Sequence, residues 1–221
     1  MLGIDLAGSP HRATGACLLA RGKFTRCWVL GDDAEILDLV DHLSPALIVV
    51  DAPLSLPRGR ESLERAGPPH LRACDKELQR LGIRFFPVTL GPMRLLTARG
   101  LRLKAVLDAR GIPAFEGYPG GTQDLLGWPR KTTGVVHLER ALRRAGFTGA
   151  VVDRHLTHDE LDAVTIAWTG RLFLRGRARL IGDPSEGVML LPDIDLRPTI
   201  PCRAGSVYRG KATLASNTRG S

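Results

Sequence analysis

The chain has 221 residues, 43% of them hydrophobic and 24% charged, with 25 glycines and 15 prolines. This composition excludes wholesale disorder and fibrous repeats, and the length suits one enlarged domain or a domain with an insertion. No apolar run approaches the roughly 18 residues of a membrane span, and the start Met1-Leu2-Gly3-Ile4-Asp5 lacks the basic and apolar regions of a leader. The cysteines Cys17, Cys27, Cys74 and Cys202 show no CxxC spacing. Reduced thiols and a cytoplasmic location, with no membrane partner, are therefore expected.

The net charge of +8 is unevenly spread: residues 1–55 carry −3, residues 56–110 carry +7, residues 111–196 carry −1 and residues 197–221 carry +5. A near-neutral body with one basic insertion and one basic tail suits a polyanion, because phosphate contacts release counterions. Arg supplies 26 of the 31 basic residues, so a general compositional bias toward Arg is the competing explanation.

In chain order, residues 2–6 form a short apolar run closed by the turn Gly8-Ser9-Pro10. Residues 14–20 and 24–30, separated by Arg21-Gly22-Lys23, read as a hairpin, so three antiparallel strands open the chain. Asp32 or Asp33 caps a helix with Ile36, Leu37, Val40 and Leu43 at helical spacing, ended by Pro45. Residues 46–50 are continuously apolar, as in a strand covered on both faces, and lead to Asp51-Ala52-Pro53. A basic, partly helical insertion is expected at about 56–90, with helices over 73–81 and 93–110. A strand at 112–118 closes on Pro119-Gly120-Gly121, and helices follow over 135–145 and 157–175. Thr157 and Glu160 make a capping box for the last of these. Residues 180–181 and 188–191 suggest a terminal hairpin. The predicted units are a single α/β domain over 1–192, with a mixed sheet flanked by helices, and a mobile basic tail over 193–221.

This order places Asp5 on the first strand, Asp51 at the carboxyl end of the next parallel strand, and Asp159 and Asp162 on one face of the last helix. Gathered carboxylates repel one another unless a cation neutralises them. Oxygen-only ligands select Mg²⁺ or Mn²⁺, and two such ions about 4 Å apart would support in-line phosphoryl displacement. Singly, each residue also fits a turn or a helix N-terminus.

Gly3-Ile4-Asp5-Leu6-Ala7-Gly8, Val49-Val50-Asp51-Ala52-Pro53-Leu54, Arg72-Ala73-Cys74-Asp75, Gly91-Pro92-Met93-Arg94, Glu116-Gly117-Tyr118-Pro119-Gly120, His158-Asp159-Glu160-Leu161-Asp162-Ala163 and Ile181-Gly182-Asp183-Pro184 together resemble the blocks of a domain-of-unknown-function family, number 429, whose members are described as predicted nucleases of the ribonuclease H fold. The resemblance runs over roughly 1–192. It implies a ribonuclease H-like five-stranded mixed sheet, three antiparallel strands then parallel crossovers, with Asp5, Asp51, Asp159 and Asp162 as metal ligands, a pattern similar to that of Holliday-junction resolvases. One departure is Asp51, where the resolvase-like pattern carries Glu. Glu116 would supply a compensating carboxylate, or the segment at Tyr118-Pro119 merely shapes a turn.

His158, with His155 nearby, would relay a proton, or both simply face solvent. Arg58, Arg60, Arg72, Lys76, Arg80 and Arg84 are candidate phosphate contacts, with a solvated face as the competing reading. The Phe85-Phe86 pair reads as core rather than as a base-stacking surface. No phosphate-loop, dinucleotide or GxSxG motif occurs. The resulting expectation is a metal-dependent nuclease acting on DNA or RNA. The alternatives are a noncatalytic nucleic-acid-binding module of the same fold and an actin-like or sugar-kinase-type phosphotransferase, which would need a second half of the fold.

Overall fold

Side chains on β1 (Leu2–Asp5) alternate between two faces of a sheet: Leu2 and Ile4 enter one apolar cluster, while Gly3 lies under a helix on the other side. The same alternation recurs in β2 (Thr14–Leu19), β3 (Phe24–Leu30), β4 (Ile48–Asp51) and β5 (Ala114–Gly117). The computed structural model describes residues 1–9 and 12–194. Two residues at β6 (Thr148–Gly149) and the hairpin β7 (Ala178–Asp183) and β8 (Gly187–Pro192) complete a mixed sheet of eight strands, in the order β6-β3-β2-β1-β4-β5-β8-β7. β1, β4, β5 and β8 run parallel; β2 is antiparallel to β1 and β3, and β7 to β8.

Helices cover both faces, which is why β4 reads as continuously apolar. On one side α1 (Asp33–Leu43), capped by the Asp32 side chain, and α3 (Gly91–Ala109) bury Ile36, Val40, Leu103 and Leu107 against Leu2, Ile4, Ile48 and Val50. On the other, α5 (Val135–Arg144), the short α6 (Ala150–Asp153) and α7 (His158–Leu174) enclose a cluster around Leu142, Phe147, Leu161 and Trp168. α4 (Pro119–Leu126) also packs on α7. α7 is apolar nearly all round because the sheet and neighbouring helices bury it from residue 160 to 170. No helix among the described residues is long and apolar enough to cross a membrane.

The expected helices at 73–81, 93–110, 135–145 and 157–175 appear as α2 (Ala73–Arg80), α3, α5 and α7. The predicted terminal hairpin is also present, and it joins the sheet edge because β8 pairs with β5. The strand expected over 112–118 is shorter, since Pro119 starts α4, an element the sequence reading closed as a turn. β6 and α6 were not anticipated either. Within the insertion only α2 is helical; it packs Cys74 and Leu78 on Ile181 and Met189 of the hairpin. Cys17, Cys27 and Cys74 are free thiols. Cys202 and the tail from 195 lie outside the described residues.

Candidate metal centre

β1 and β4 are adjacent and parallel, with Asp5 directly opposite Asp51. Both are odd-numbered positions on the α7 side of the pleat, alongside Gly3 and Val49, whereas Ile4 and Val50 face α1 and α3. The first turns of α7 then bring in Asp162. Ligand oxygens of Asp5, Asp51 and Asp162 all lie within 4.8 Å of one another. Asp162 is buried and the other two are half-buried.

Two missing side chains make this approach possible. Gly15 sits opposite Asp5 in the β1–β2 register, and a Cβ there would lie 2.2 Å from the carbonyl carbon of Asp159. At Gly3 a Cβ would lie 2.2 Å from the Ala163 carbonyl oxygen. The helix backbone thus rests directly on the strands. A capping box fixes where α7 begins: the Glu160 amide donates to Thr157 Oγ1 at 3.2 Å, and the Thr157 amide donates to Glu160 Oε2 at 2.9 Å.

Asp159 is half-buried and is not a member of the three-carboxylate group. Its backbone, rather than its carboxylate, carries the contact with Gly15. His158 is exposed at the first position of α7, and His155 turns to Glu139 of α5, with 3.1 Å between Nδ1 and Oε2.

Glu116 does not add a fourth carboxylate. It pairs with Val50 in the β4–β5 register and so shares Val50's face, opposite to that of Asp51. There it accepts from Arg72 at 2.6 and 2.7 Å and from the Leu54 amide at 2.9 Å. Asp75 takes the rest of the Arg72 fork, at 2.9 and 3.1 Å. Burial alone would lower the basicity of Arg72, but Glu116 and Asp75 outweigh it and hold the guanidinium charged.

The same network corrects the expected phosphate contacts. Arg72 is buried and fully engaged, and Arg60 is buried with its guanidinium bound to the carbonyls of Ser62, Arg65, Gly67 and Pro69. The loop's many prolines and glycines leave carbonyls without a ladder, and Arg60 satisfies them. Arg58 is exposed but paired with Asp183. Lys76, Arg80 and Arg84 stand exposed, with no carboxylate partner among the described residues. Phe85 is half-buried, whereas Phe86, expected in the core, is 67% exposed.

Gln123, which the sequence did not single out, and Tyr118, read there only as shaping a turn, border the carboxylates. Gln123 Nε2 donates to Asp162 Oδ1 at 3.0 Å and is fully buried. Tyr118 donates to the Arg84 carbonyl. Burial pushes its phenol above the ordinary range; Arg130 acts against that shift and Asp51 adds to it. The available signal for Gln123 was Pro119 itself, since proline is favoured in the first turn of a helix. Three carboxylates with a buried amide behind one of them form an oxygen-only donor set that suits a hard divalent cation.

No curated protein matches the chain. Residues 3–112 match the family described as "Protein of unknown function (DUF429)", a segment that holds Asp5 and Asp51 and ends before Asp162. Through that segment the chain belongs to the DUF429 family.

Proposed function

We propose that the protein is a metal-dependent nuclease, hydrolysing phosphodiester bonds of DNA or RNA with Mg²⁺ or Mn²⁺ at Asp5, Asp51 and Asp162. The observation that carries this reading is the convergence of the three carboxylates within 4.8 Å at the carboxyl ends of two adjacent parallel strands. Such a gathering is costly in the absence of a cation. The central order β3-β2-β1-β4-β5, with β2 alone antiparallel, is what a ribonuclease H-like core requires, and we read it as one.

A bound ion would lower the pKa of a coordinated water and neutralise charge on the leaving oxygen. Asp5 and Asp51 hold their oxygens side by side through strand register. Gln123 fixes the rotamer of Asp162 by its hydrogen bond, a positioning role. His158 is exposed on the same helix end, and carrying a proton to or from solvent is its part in the proposal. Exposed Lys76, Arg80 and Arg84 supply the sequence-independent hold on phosphates.

The test is a panel of labelled single-stranded, double-stranded, branched and hybrid nucleic acids with Mn²⁺, Mg²⁺ or EDTA. Cleavage that requires metal and falls at least about a hundredfold in both Asp5→Asn and Asp162→Asn is expected. Gln123→Ala should lose roughly 10–100-fold. Cleavage that survives Asp5→Asn would overturn the mechanism. Salt-sensitive binding by wild type with no product on any substrate would assign the chain to the noncatalytic module instead.

A further inference from the structure

A second feature is cationic and lies away from the carboxylates. The outward face of α5 carries His137, Arg140 and Arg144, spaced i, i+3 and i+7 and therefore stacked along one side of the helix. Leu138 and Leu142 hold the opposite side in the core. Across from this row stand Trp128 and Pro129, which follow α4, and together they line a groove of about 730 Å³ with no carboxylate in its walls. His137, Arg140 and Arg144 are exposed and make no ion pair or side-chain hydrogen bond among the described residues. This differs from Arg72, Arg99, Arg130 and Arg154, each of which is paired with an acid.

The wall beside the cations presents an aromatic ring backed by the core. Trp128 is half-buried and packs edge-on against Phe147, with centroids 6.0 Å apart, and Phe147 in turn packs on Trp168. Lys23, in the turn between β2 and β3, lies over the rings of Phe147 and Trp168. That turn is at the far end of β2 from Gly15, which adjoins Asp5. None of Asp5, Asp51, Asp162 and Gln123 lines the groove, which is thus distinct from the metal centre.

We propose that this groove binds a nucleoside phosphate, either free or as the phosphorylated end of a strand, with Arg140 and Arg144 on the phosphates and the Trp128–Pro129 wall against the base. Its volume lies within the roughly 300–1,000 Å³ of small-ligand sites, which favours a compact ligand over a protein surface. Guanidinium forks one helical turn apart match successive phosphate oxygens, and a fixed indole gives a base its apolar contact. The site does not depend on the nuclease reading.

Full-length protein in EDTA is titrated calorimetrically with ATP, pyrophosphate and a short 5′-phosphorylated oligonucleotide. ATP should bind more tightly than pyrophosphate, and Arg140→Ala with Arg144→Ala should weaken ATP by about tenfold or more at an unchanged thermal midpoint. Asp5→Asn should leave this binding intact, and Trp128→Leu should narrow the gap between ATP and pyrophosphate. Relative affinities for ATP and oligonucleotide tell a free nucleotide from a strand end. Absence of binding by both, or affinity indifferent to the Arg pair, overturns the proposal. Equal affinity for ATP and pyrophosphate overturns its nucleoside part.

Discussion

Arg72 shows what a single buried charge does here. It is 2% exposed yet forked between Glu116 and Asp75, and Glu116 also binds the amide of Leu54, three residues beyond Asp51. The network thus ties the chain leaving β4 to β5 and fixes the backbone on which Asp51 is presented. Breaking a buried pair by removing one partner leaves an uncompensated charge and costs about 3–5 kcal/mol. Arg72→Met is expected to lose that much in urea unfolding, and Arg72→Lys a large share of it, because an ammonium cannot reproduce the fork. A loss below about 1 kcal/mol would show that Arg72 behaves as a surface pair and does not brace the site.

At the scale of elements, the seat of α7 on the sheet decides whether the carboxylates meet. Gly15→Ala would drive a Cβ into the Asp159 backbone, which has no flexible side chain to yield. The expected cost is roughly 1–3 kcal/mol or more, together with loss of the metal-dependent cleavage proposed above as Asp162 is pushed off. Gly8→Ala meets its nearest neighbour at 3.6 Å, an ordinary contact, and should change the thermal midpoint little. Similar midpoints for the two variants would remove the steric argument. α7 itself was legible from its capping box and length. α4 was not, because Pro119-Gly120-Gly121 carries the turn residues of a loop; packing on α7, including the Thr122–Thr169 hydroxyl contact, and on β8 keeps it helical.

For the whole molecule, acid stability follows from carboxylates held by cations. Burial alone would raise the Glu160 carboxyl, but hydrogen bonds from Arg154 and Thr157 outweigh it and hold its pKa below the ordinary value; Arg130 does the same for the more exposed Asp124. A depressed folded pKa contributes stability that is present above the unfolded value, about 4 for these groups, and is lost as pH falls through the folded one. Urea midpoints should therefore change little through these groups between pH 7 and 5 and fall on further acidification. Arg154→Met, which lets the folded pKa of Glu160 rise toward the unfolded one, should lower the urea midpoint near neutral pH and make the fall on acidification smaller. A fall as large as that of the wild type would mean that Glu160 does not set the acid limb.

Periodicity, caps and turns lie within a few residues of one another, so the sequence by itself determined most helices, the opening meander, the central strand and the acidic residues worth watching. Strand period also settles faces once register is known, and register is a long-range property. That is why Asp5 and Asp51 point to α7 while Glu116, equally acidic and equally at a strand end, points away. The basic insertion was read from its charge, but charge does not report burial, and Arg60 and Arg72 turned inward to satisfy loop carbonyls and carboxylates. Asp162 and its partner Gln123 come from helices 39 residues apart, and tertiary packing alone brought them together; the cationic groove is built from residues 127–145, where helical spacing put the cations on one face but only packing set Trp128 beside them.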